Sequence, residues 1–184
     1  YIQDQEMIRV FLMGFMGAGK TTLGKALAKD LNISFIDLDQ YIERRYMKSV
    51  SQIFALKGEQ GFREIESRML REVGEFDDVI VSCGGSTPLI GDNMEYMLQH
   101  GQTVYLKCDN DTLLRRLKVA RSQRPLIASK TDEELAAFIE SETKRRAPGY
   151  LRAGYICPGD RLESCDQISD TITYLKQLLD LKKD

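Results

Sequence analysis

The residues with the clearest chemical pattern run from Gly14 to Thr21, where GFMGAGKT fits the spacing G-x-x-x-x-G-K-[ST]. In such a loop the glycines let backbone N–H groups turn inward around a phosphate. Lys20 can reach the outer phosphates of a nucleotide, and the hydroxyl of Thr21 can bind magnesium. The pattern therefore predicts a nucleotide-binding phosphate loop.

The segments on either side of this loop support that interpretation. Residues 8–13, IRVFLM, form an apolar run that predicts a buried strand, and residues 22–31, TLGKALAKDL, repeat Leu and Ala at helical spacing. The order strand, loop, helix places the loop at a helix N-terminus, where partial positive charge favours phosphate. The alternative is a glycine-rich turn that only connects strand and helix, which leaves Lys20 and Thr21 unexplained.

Two carboxylates follow the next apolar segment. Residues 34–39, SFIDLD, read as a short second strand that ends in Asp37 and Asp39. Asp37 suits magnesium, through water, because hard cations prefer oxygen ligands. Asp39 suits an acceptor hydroxyl, although Asp is also a preferred cap for a following helix. From the residues alone both roles of Asp39 remain open.

Two arginines are candidates for binding an anion. Arg63 and Glu66 are three residues apart on a predicted helix, so they can pair and hold the guanidinium as a fixed fork for a carboxylate. The alternative is an exposed ion pair of little energetic value. Arg146 ends another predicted helix, where the helix dipole favours any cation. The residues alone do not decide between these alternatives.

The pattern of apolar segments predicts the fold class. Short apolar runs at 8–13, 34–39, 79–82, 103–107 and 155–157 alternate with helical segments, which predicts an α/β fold with a five-stranded parallel sheet and helices on both faces. The helical segments are 22–31, 40–74 with a break at Lys57-Gly58, 92–99, a stretch after Asp109, 131–146 and 168–181. Ligands of such sheets bind beyond the carboxyl ends of the strands. We therefore expect the phosphate loop, Asp37, Asp39, the Gly84-Gly85 turn and the segments near Arg124 and Arg146 to meet in one crevice.

Composition limits the function classes. The 184 residues, 42% hydrophobic, predict a single domain over 1–184. The net charge of -2, with both signs mixed, argues against nucleic acid or an anionic membrane as a partner. No apolar run approaches the ~20 residues of a membrane span, so we expect a cytoplasmic protein. The polar residues 1–6 do not resemble a signal sequence, and they either belong to the native chain or precede a natural start at Met7.

Cysteine and histidine exclude further chemistries. The four cysteines include no C-x-x-C pair, which argues against a zinc ribbon or a dithiol redox centre. His100 is the only histidine, and we expect it at a solvated helix end beside Gly101. A single histidine removes most Ser-His, Cys-His and His-ligated metal sites. Catalysis must then use Asp, Glu, Lys, Arg and a hard cation.

Taken in order, these motifs resemble the shikimate kinase family. The resemblance covers about residues 8–160 and includes GFMGAGKT with Gly24, Asp37-Leu38-Asp39, Gly58-Glu59, Phe62-Arg63, Gly84-Gly85, Arg124-Pro125-Leu126 and Arg146-x-Pro148-x-Tyr150. It implies a P-loop NTPase fold similar to the nucleoside monophosphate kinases. It also implies transfer of the ATP γ-phosphate to the 3-hydroxyl of shikimate, with Mg²⁺, on the route to chorismate.

The resemblance also implies roles for individual residues. The expected nucleotide-binding residues are Gly17, Ala18, Gly19, Lys20, Thr21, Thr22 and Arg124, and the expected metal-binding residues are Thr21 and Asp37. The expected shikimate-binding residues are Asp39, Arg63, Gly84, Gly85 and Arg146, and the catalytic ones are Lys20, Asp39 and Arg124. Segment 40–74 would bind the acceptor and segment 120–131 would be a mobile lid. Apart from the resemblance, we expect a monomer. Ser86 stands where the family usually has a third glycine, and Arg121 and Arg161 either stack on adenine or are solvated surface residues.

Two other functions are compatible with the phosphate loop. A kinase of the same fold could act on another small hydroxy acid, such as gluconate, and it would not need Asp39, Arg63 and Arg146 together. A nucleotide-dependent regulatory or nucleic-acid-handling module could use hydrolysis to change shape, but the acidic balance and the lack of a basic stripe argue against it.

Overall fold

A computed structural model describes residues 7–182 and confirms the predicted fold class. Its sheet has five parallel strands in the order β2-β3-β1-β4-β5. The strands are β1 (Arg9–Met13), β2 (Ser34–Asp37), β3 (Val79–Ser82), β4 (Gln102–Lys107) and β5 (Tyr155–Pro158).

Helices cover both faces of this sheet. They are α1 (Lys20–Leu31), α2 (Leu38–Tyr46), α3 (Val50–Val73), α4 (Asn93–His100), α5 (Asn110–Ala120), α6 (Asp132–Tyr150) and α7 (Cys165–Leu178), with short 3-10 turns at Thr87–Leu89 and Arg121–Gln123. None of the helices within 7–182 is long and apolar enough to cross a membrane.

Alternation along the strands divides the core into two layers. On β1, Val10 and Leu12 pack in one cluster with Leu23 and Leu27 of α1, whereas Phe11 and Met13 pack in the other. Successive side chains of a strand point to opposite faces, so a central strand that is apolar at every position buries both faces. The first cluster also receives α5, α6 and α7, and the second receives α2, α3 and α4.

The strand register brings the carboxyl ends of three strands to one edge. Ser82 of β3 pairs with both Leu12 of β1 and Asp37 of β2. The chain continues from these three positions into the phosphate loop, the start of α2 and the Gly84-Gly85 turn. The expected crevice therefore lies at this edge, as predicted.

Several predicted boundaries were wrong, and caps explain two of them. Strand β2 was predicted to include Asp39 but stops at Asp37, whose carboxylate accepts the N–H of Gln40 at 3.0 Å and caps α2. Asp37 is thus the cap, and Asp39 lies in the first turn of the helix. The closing helix was predicted over 168–181 but spans Cys165–Leu178, because the Ser164 hydroxyl caps it by accepting the N–H of Gln167.

Helix α6 is also longer than predicted. It continues past Arg146 through Pro148 to Tyr150. Tyr150 is fully buried and its hydroxyl donates to the carbonyl of Gly85, which anchors this last turn to the site. Other predicted features are confirmed. Thr131 and Glu134 form the capping box of α6, and Gly58, with φ 69° and ψ -178°, interrupts α3 at the expected break.

Candidate active site

The phosphate loop has the backbone that its glycines permit. Gly17 and Gly19 have φ angles of 81° and 99°, a region that favours glycine, and Gly19 leads directly into α1. The Nζ of Lys20 donates to the carbonyl oxygens of Gly14 and Phe15 at 2.7 and 3.0 Å. Burial lowers the pKa of Lys20 to about 8, and the positive charge of Arg124 adds to this effect.

A cavity of about 560 Å³ lies in front of this loop. Its walls contain most residues predicted for the nucleotide and the metal, namely Gly17, Gly19, Lys20, Thr21, Thr22, Asp37 and Arg124. Ala18 is the exception, because its side chain is 1% exposed in the core and its N–H already donates to the Phe15 carbonyl at 3.1 Å. The side chain of Ala18 packs in the hydrophobic core, and its expected contact with the nucleotide stays a prediction.

A second cavity of about 200 Å³ adjoins the first and is lined by Arg63 and Arg146. The two cavities share four wall residues, which are Met16, Asp39, Gly84 and Gly85. A group in one cavity can therefore approach a group in the other across Asp39. This arrangement suits transfer of a group between two bound molecules.

Asp39 has the electrostatic surroundings of a proton acceptor. Burial raises the pKa of Asp39 to about 6, and the negative charges of Asp37 and Glu66 contribute to the rise. A carboxylate with this pKa is ionised at neutral pH and binds a proton more readily than an exposed aspartate.

Arg63 is held in place by a buried partner. Its Nη1 donates to Oε1 of Glu66 at 2.9 Å, and Glu66 is only 1% exposed. The alternative of an exposed surface pair is therefore wrong. The Nε of Arg63 is buried and has no hydrogen-bond partner within the described chain. A buried donor without a partner is costly, which makes it suited to an incoming acceptor.

Arg146 is also fixed rather than solvated. It is 8% exposed, its Nε donates to Oε2 of Glu142 at 3.0 Å, and its guanidinium carbon lies 5.4 Å from the ring centre of Phe15. The ion pair and the aromatic face restrict its rotamers. Arg63 and Arg146 thus place two positive groups in the wall of one small cavity, as the family resemblance implied.

The residues of the larger cavity that were not predicted as site residues include Arg116, Leu162 and Glu163. Nη1 of Arg116 donates to the carbonyls of Gly17 and Ala18 at 3.1 and 3.2 Å, and its Nε donates to Glu163 at 2.9 Å. These residues come from α5 and from the loop after β5. A single arginine on a helix gives no sequence signal for such a long-range contact.

The two candidates for adenine stacking lie outside the walls of this cavity. Arg121 donates to the Lys130 carbonyl at 3.0 Å and pairs with Asp132. Arg161 lines a separate surface cavity with Tyr174. Arg161 is exposed, in agreement with the surface interpretation, whereas the Nε of Arg121 is buried and has no hydrogen-bond partner within residues 7–182, so the surface interpretation is wrong for Arg121.

The fold and the phosphate loop define a protein of the P-loop NTPase class. The sequence profile described as "Shikimate kinase" matches residues 16–176. A shikimate kinase of Bacteroides fragilis is 53% identical over 175 residues, covering 95% of this chain and 98% of the relative. The chain belongs to the shikimate kinase family.

Solved structures agree with this assignment. The shikimate kinase of Bacteroides thetaiotaomicron superposes with a TM-score of 0.93 at 50% identity, covering 96% of this chain and all of the other. The shikimate kinase of Acinetobacter baumannii, solved in complex with shikimate, gives a TM-score of 0.80 at 29% identity, covering 98% of this chain and 97% of the other. The fold assignment thus extends to distant relatives.

Proposed function

We propose that the larger cavity holds ATP and the smaller cavity holds shikimate, with Asp39 between them. As a member of its family the protein is an ATP-dependent kinase that phosphorylates the 3-hydroxyl of shikimate, giving shikimate 3-phosphate and ADP on the route to chorismate. The observation that carries the placement of the substrates is that two cavities share the partly buried carboxylate of Asp39.

On the nucleotide side, Lys20 would neutralise the outer phosphates and the loop at Gly17 and Gly19 would bind them through backbone N–H groups. Thr22 would contribute a further hydrogen bond. Arg124 would reach the transferring phosphoryl group from a lid formed by segment 120–131, and segment 40–74 would carry the acceptor side. Phosphoryl transfer depends mainly on positioning and charge neutralisation, so the site needs no histidine.

Magnesium fits the oxygen atoms of this wall. The hydroxyl of Thr21 and the carboxylate of Asp37 line the cavity, and the cap hydrogen bond to Gln40 fixes the Asp37 side chain. No cluster of three or more His, Cys, Asp or Glu residues within 7–182 could form a closed metal cage. Mg²⁺ commonly takes only one or two protein ligands and completes its shell with water and phosphate oxygens. When bound it would neutralise charge on the phosphates.

On the acceptor side, Arg63 and Arg146 would bind the shikimate carboxylate beside Gly84 and Gly85. Asp39 would orient the 3-hydroxyl and accept its proton as the phosphoryl group arrives. The buried Nε of Arg63 supports this arrangement, because a carboxylate oxygen would satisfy it.

We propose that the enzyme acts as a monomer. We also propose that the enzyme is cytoplasmic. The mixed charge pattern, with a net charge of -2, supports small-molecule substrates without nucleic-acid or membrane partners.

The test is ATP turnover without acceptor, with shikimate and with gluconate. We expect ADP release to depend on shikimate and phosphorus NMR to identify the 3-phosphate ester. Turnover with gluconate at equal efficiency would favour the alternative acceptor class, and equal turnover without any acceptor would favour a hydrolytic module.

A further inference from the structure

Thr87 connects the Gly84-Gly85 turn to the acceptor arginine through one buried carboxylate. It begins the 3-10 turn after Ser86 and is 0% exposed. Its hydroxyl donates to Oε2 of Glu66 at 2.8 Å, while Oε1 of Glu66 accepts from Arg63 at 2.9 Å. Each oxygen of the Glu66 carboxylate therefore has its own donor, and one of the two donors is the arginine in the cavity wall.

The backbone of Thr87 is itself fixed from two sides. Its N–H donates to the Gly84 carbonyl at 3.1 Å, and its carbonyl accepts from Nδ2 of Asn93 at 3.0 Å. Asn93 is also 0% exposed, and its Oδ1 accepts from Arg71 at 3.0 Å. The Thr87 hydroxyl is thus held at a defined position relative to α3 and α4.

This fixed hydroxyl holds the buried Glu66 carboxylate in one orientation. If Oε2 of Glu66 lost its donor, the carboxylate would carry an unsatisfied buried oxygen and would rotate or shift to find another partner. Arg63 would follow, because its guanidinium is bound to the other oxygen. A binding site that must reorder its groups loses affinity for the ligand.

We propose that Thr87 is a positioning residue for the acceptor: through Glu66 it fixes the Arg63 guanidinium in the orientation that receives the substrate carboxylate. The inference rests on the proposed role of Arg63. Thr87 does not line the acceptor cavity, so its effect on shikimate must pass through the neighbouring groups. The Thr87 hydroxyl and Glu66 pack closely against the turn, since a β-carbon at Gly84 would lie 3.1 Å from the hydroxyl and 3.4 Å from the Glu66 carboxylate.

The test compares Thr87→Val, which keeps the shape but removes the donor, with Thr87→Ser, which keeps the hydroxyl. We expect Thr87→Val to raise the KM for shikimate roughly tenfold, while the KM for ATP changes by less than about twofold. Thr87→Ser should restore most of the shikimate affinity. Thr87→Ala supplies a second donor-free variant, so that the result does not depend on the fold tolerating valine.

A double-mutant cycle with Arg63→Ala then tests the role of Thr87 separately from the role of Arg63. If Thr87 acts through Arg63, Thr87→Val should add little to the shikimate KM of Arg63→Ala. An Arg63→Ala variant with an unchanged shikimate KM would overturn the role of Arg63 and the inference with it. A clear effect of Arg63→Ala without an effect of Thr87→Val would overturn the inference alone. The inference also fails if Thr87→Val raises both KM values equally, or if it multiplies the KM of Arg63→Ala by its full factor.

Discussion

A β-carbon at Gly85 would lie 2.9 Å from Nη1 of Arg146, closer than real side chains tolerate. The arginine cannot easily move away, because Glu142 binds it from the same helix and Phe15 covers its face. Glycine at this position therefore makes the space in which the guanidinium lies beside the acceptor cavity.

Gly85→Ala should displace Arg146 and weaken shikimate binding. Overpacking commonly costs about 1–3 kcal/mol, and if this cost falls on binding, the shikimate KM should rise by roughly 5- to 150-fold. The matched control is Gly154→Ala, where the added β-carbon would meet its nearest atom at an ordinary 3.5 Å. Steady-state kinetics with each substrate varied in turn would check this. Equal behaviour of the two variants would contradict the steric role of Gly85.

Lys20→Met should abolish turnover and leave the fold intact. The lost charge acts on the phosphates in the transition state, whereas the lysine makes only two hydrogen bonds to the loop backbone. Turnover and thermal unfolding should be measured together with those of Lys25→Met, an exposed position on the same helix. Retained turnover in Lys20→Met would remove the phosphate loop from the mechanism.

The pH profile of the free enzyme should have two limbs. Asp39, with a pKa of about 6, must be ionised to accept a proton, so kcat/KM for shikimate should fall as the pH drops through about 6. Lys20, with a pKa of about 8, must be protonated to bind phosphate, so kcat/KM for ATP should fall as the pH rises through about 8.

Asp39→Asn tests the assignment of the acid limb. It should lower kcat by on the order of 10² or more, and the remaining activity should lose its dependence on pH near 6. An acid limb that persists unchanged in this variant would assign the titration to another group.

Arg124→Ala should lower kcat by on the order of 10³ and change the shikimate KM little, because the residue acts on the transferring phosphoryl group. Arg161→Ala, an exposed position that lines a separate surface cavity, is the control for loss of one positive charge. A pure rise in the shikimate KM would instead assign Arg124 to the acceptor site.

The features that were predictable from the sequence are those with a contiguous pattern. The phosphate loop and the alternation of strands and helices depend on neighbouring residues. Local spacing was therefore sufficient to predict the loop GFMGAGKT and the parallel sheet. The choice between Asp37 and Asp39 as helix cap depends on where β2 leaves the sheet, which its pairing with Ser82 determines. Local sequence does not encode that pairing.

Long-range contacts explain what was missed. Arg116 reaches the loop carbonyl of Gly17 across 99 residues of sequence, and Thr87 reaches Glu66 across 21. Neither residue belongs to a local sequence motif, because each acquires its role only when the strands bring distant segments together. Arg63 and Arg146 were found only through the family resemblance, since a paired or helix-terminal arginine is more often a surface residue.

The central claim is that Arg63 and Arg146 bind the carboxylate of shikimate. If both contact the same anionic group, each contact should be worth about 1.5 to 3 kcal/mol, and combining Arg63→Ala with Arg146→Ala should be non-additive. Arg63→Lys keeps the charge but loses the planar fork, so it should also weaken shikimate binding while ATP binding hardly changes.

The most direct measurement is calorimetric binding of shikimate and of its neutral carboxamide to the wild type, Arg63→Ala and Arg146→Ala. The wild type should bind the acid and reject the amide, and each variant should discriminate less between them, because the charge-assisted hydrogen bonds need the carboxylate. Equal affinity of the wild type for acid and amide would contradict the claim that these two arginines recognise the substrate by its charge.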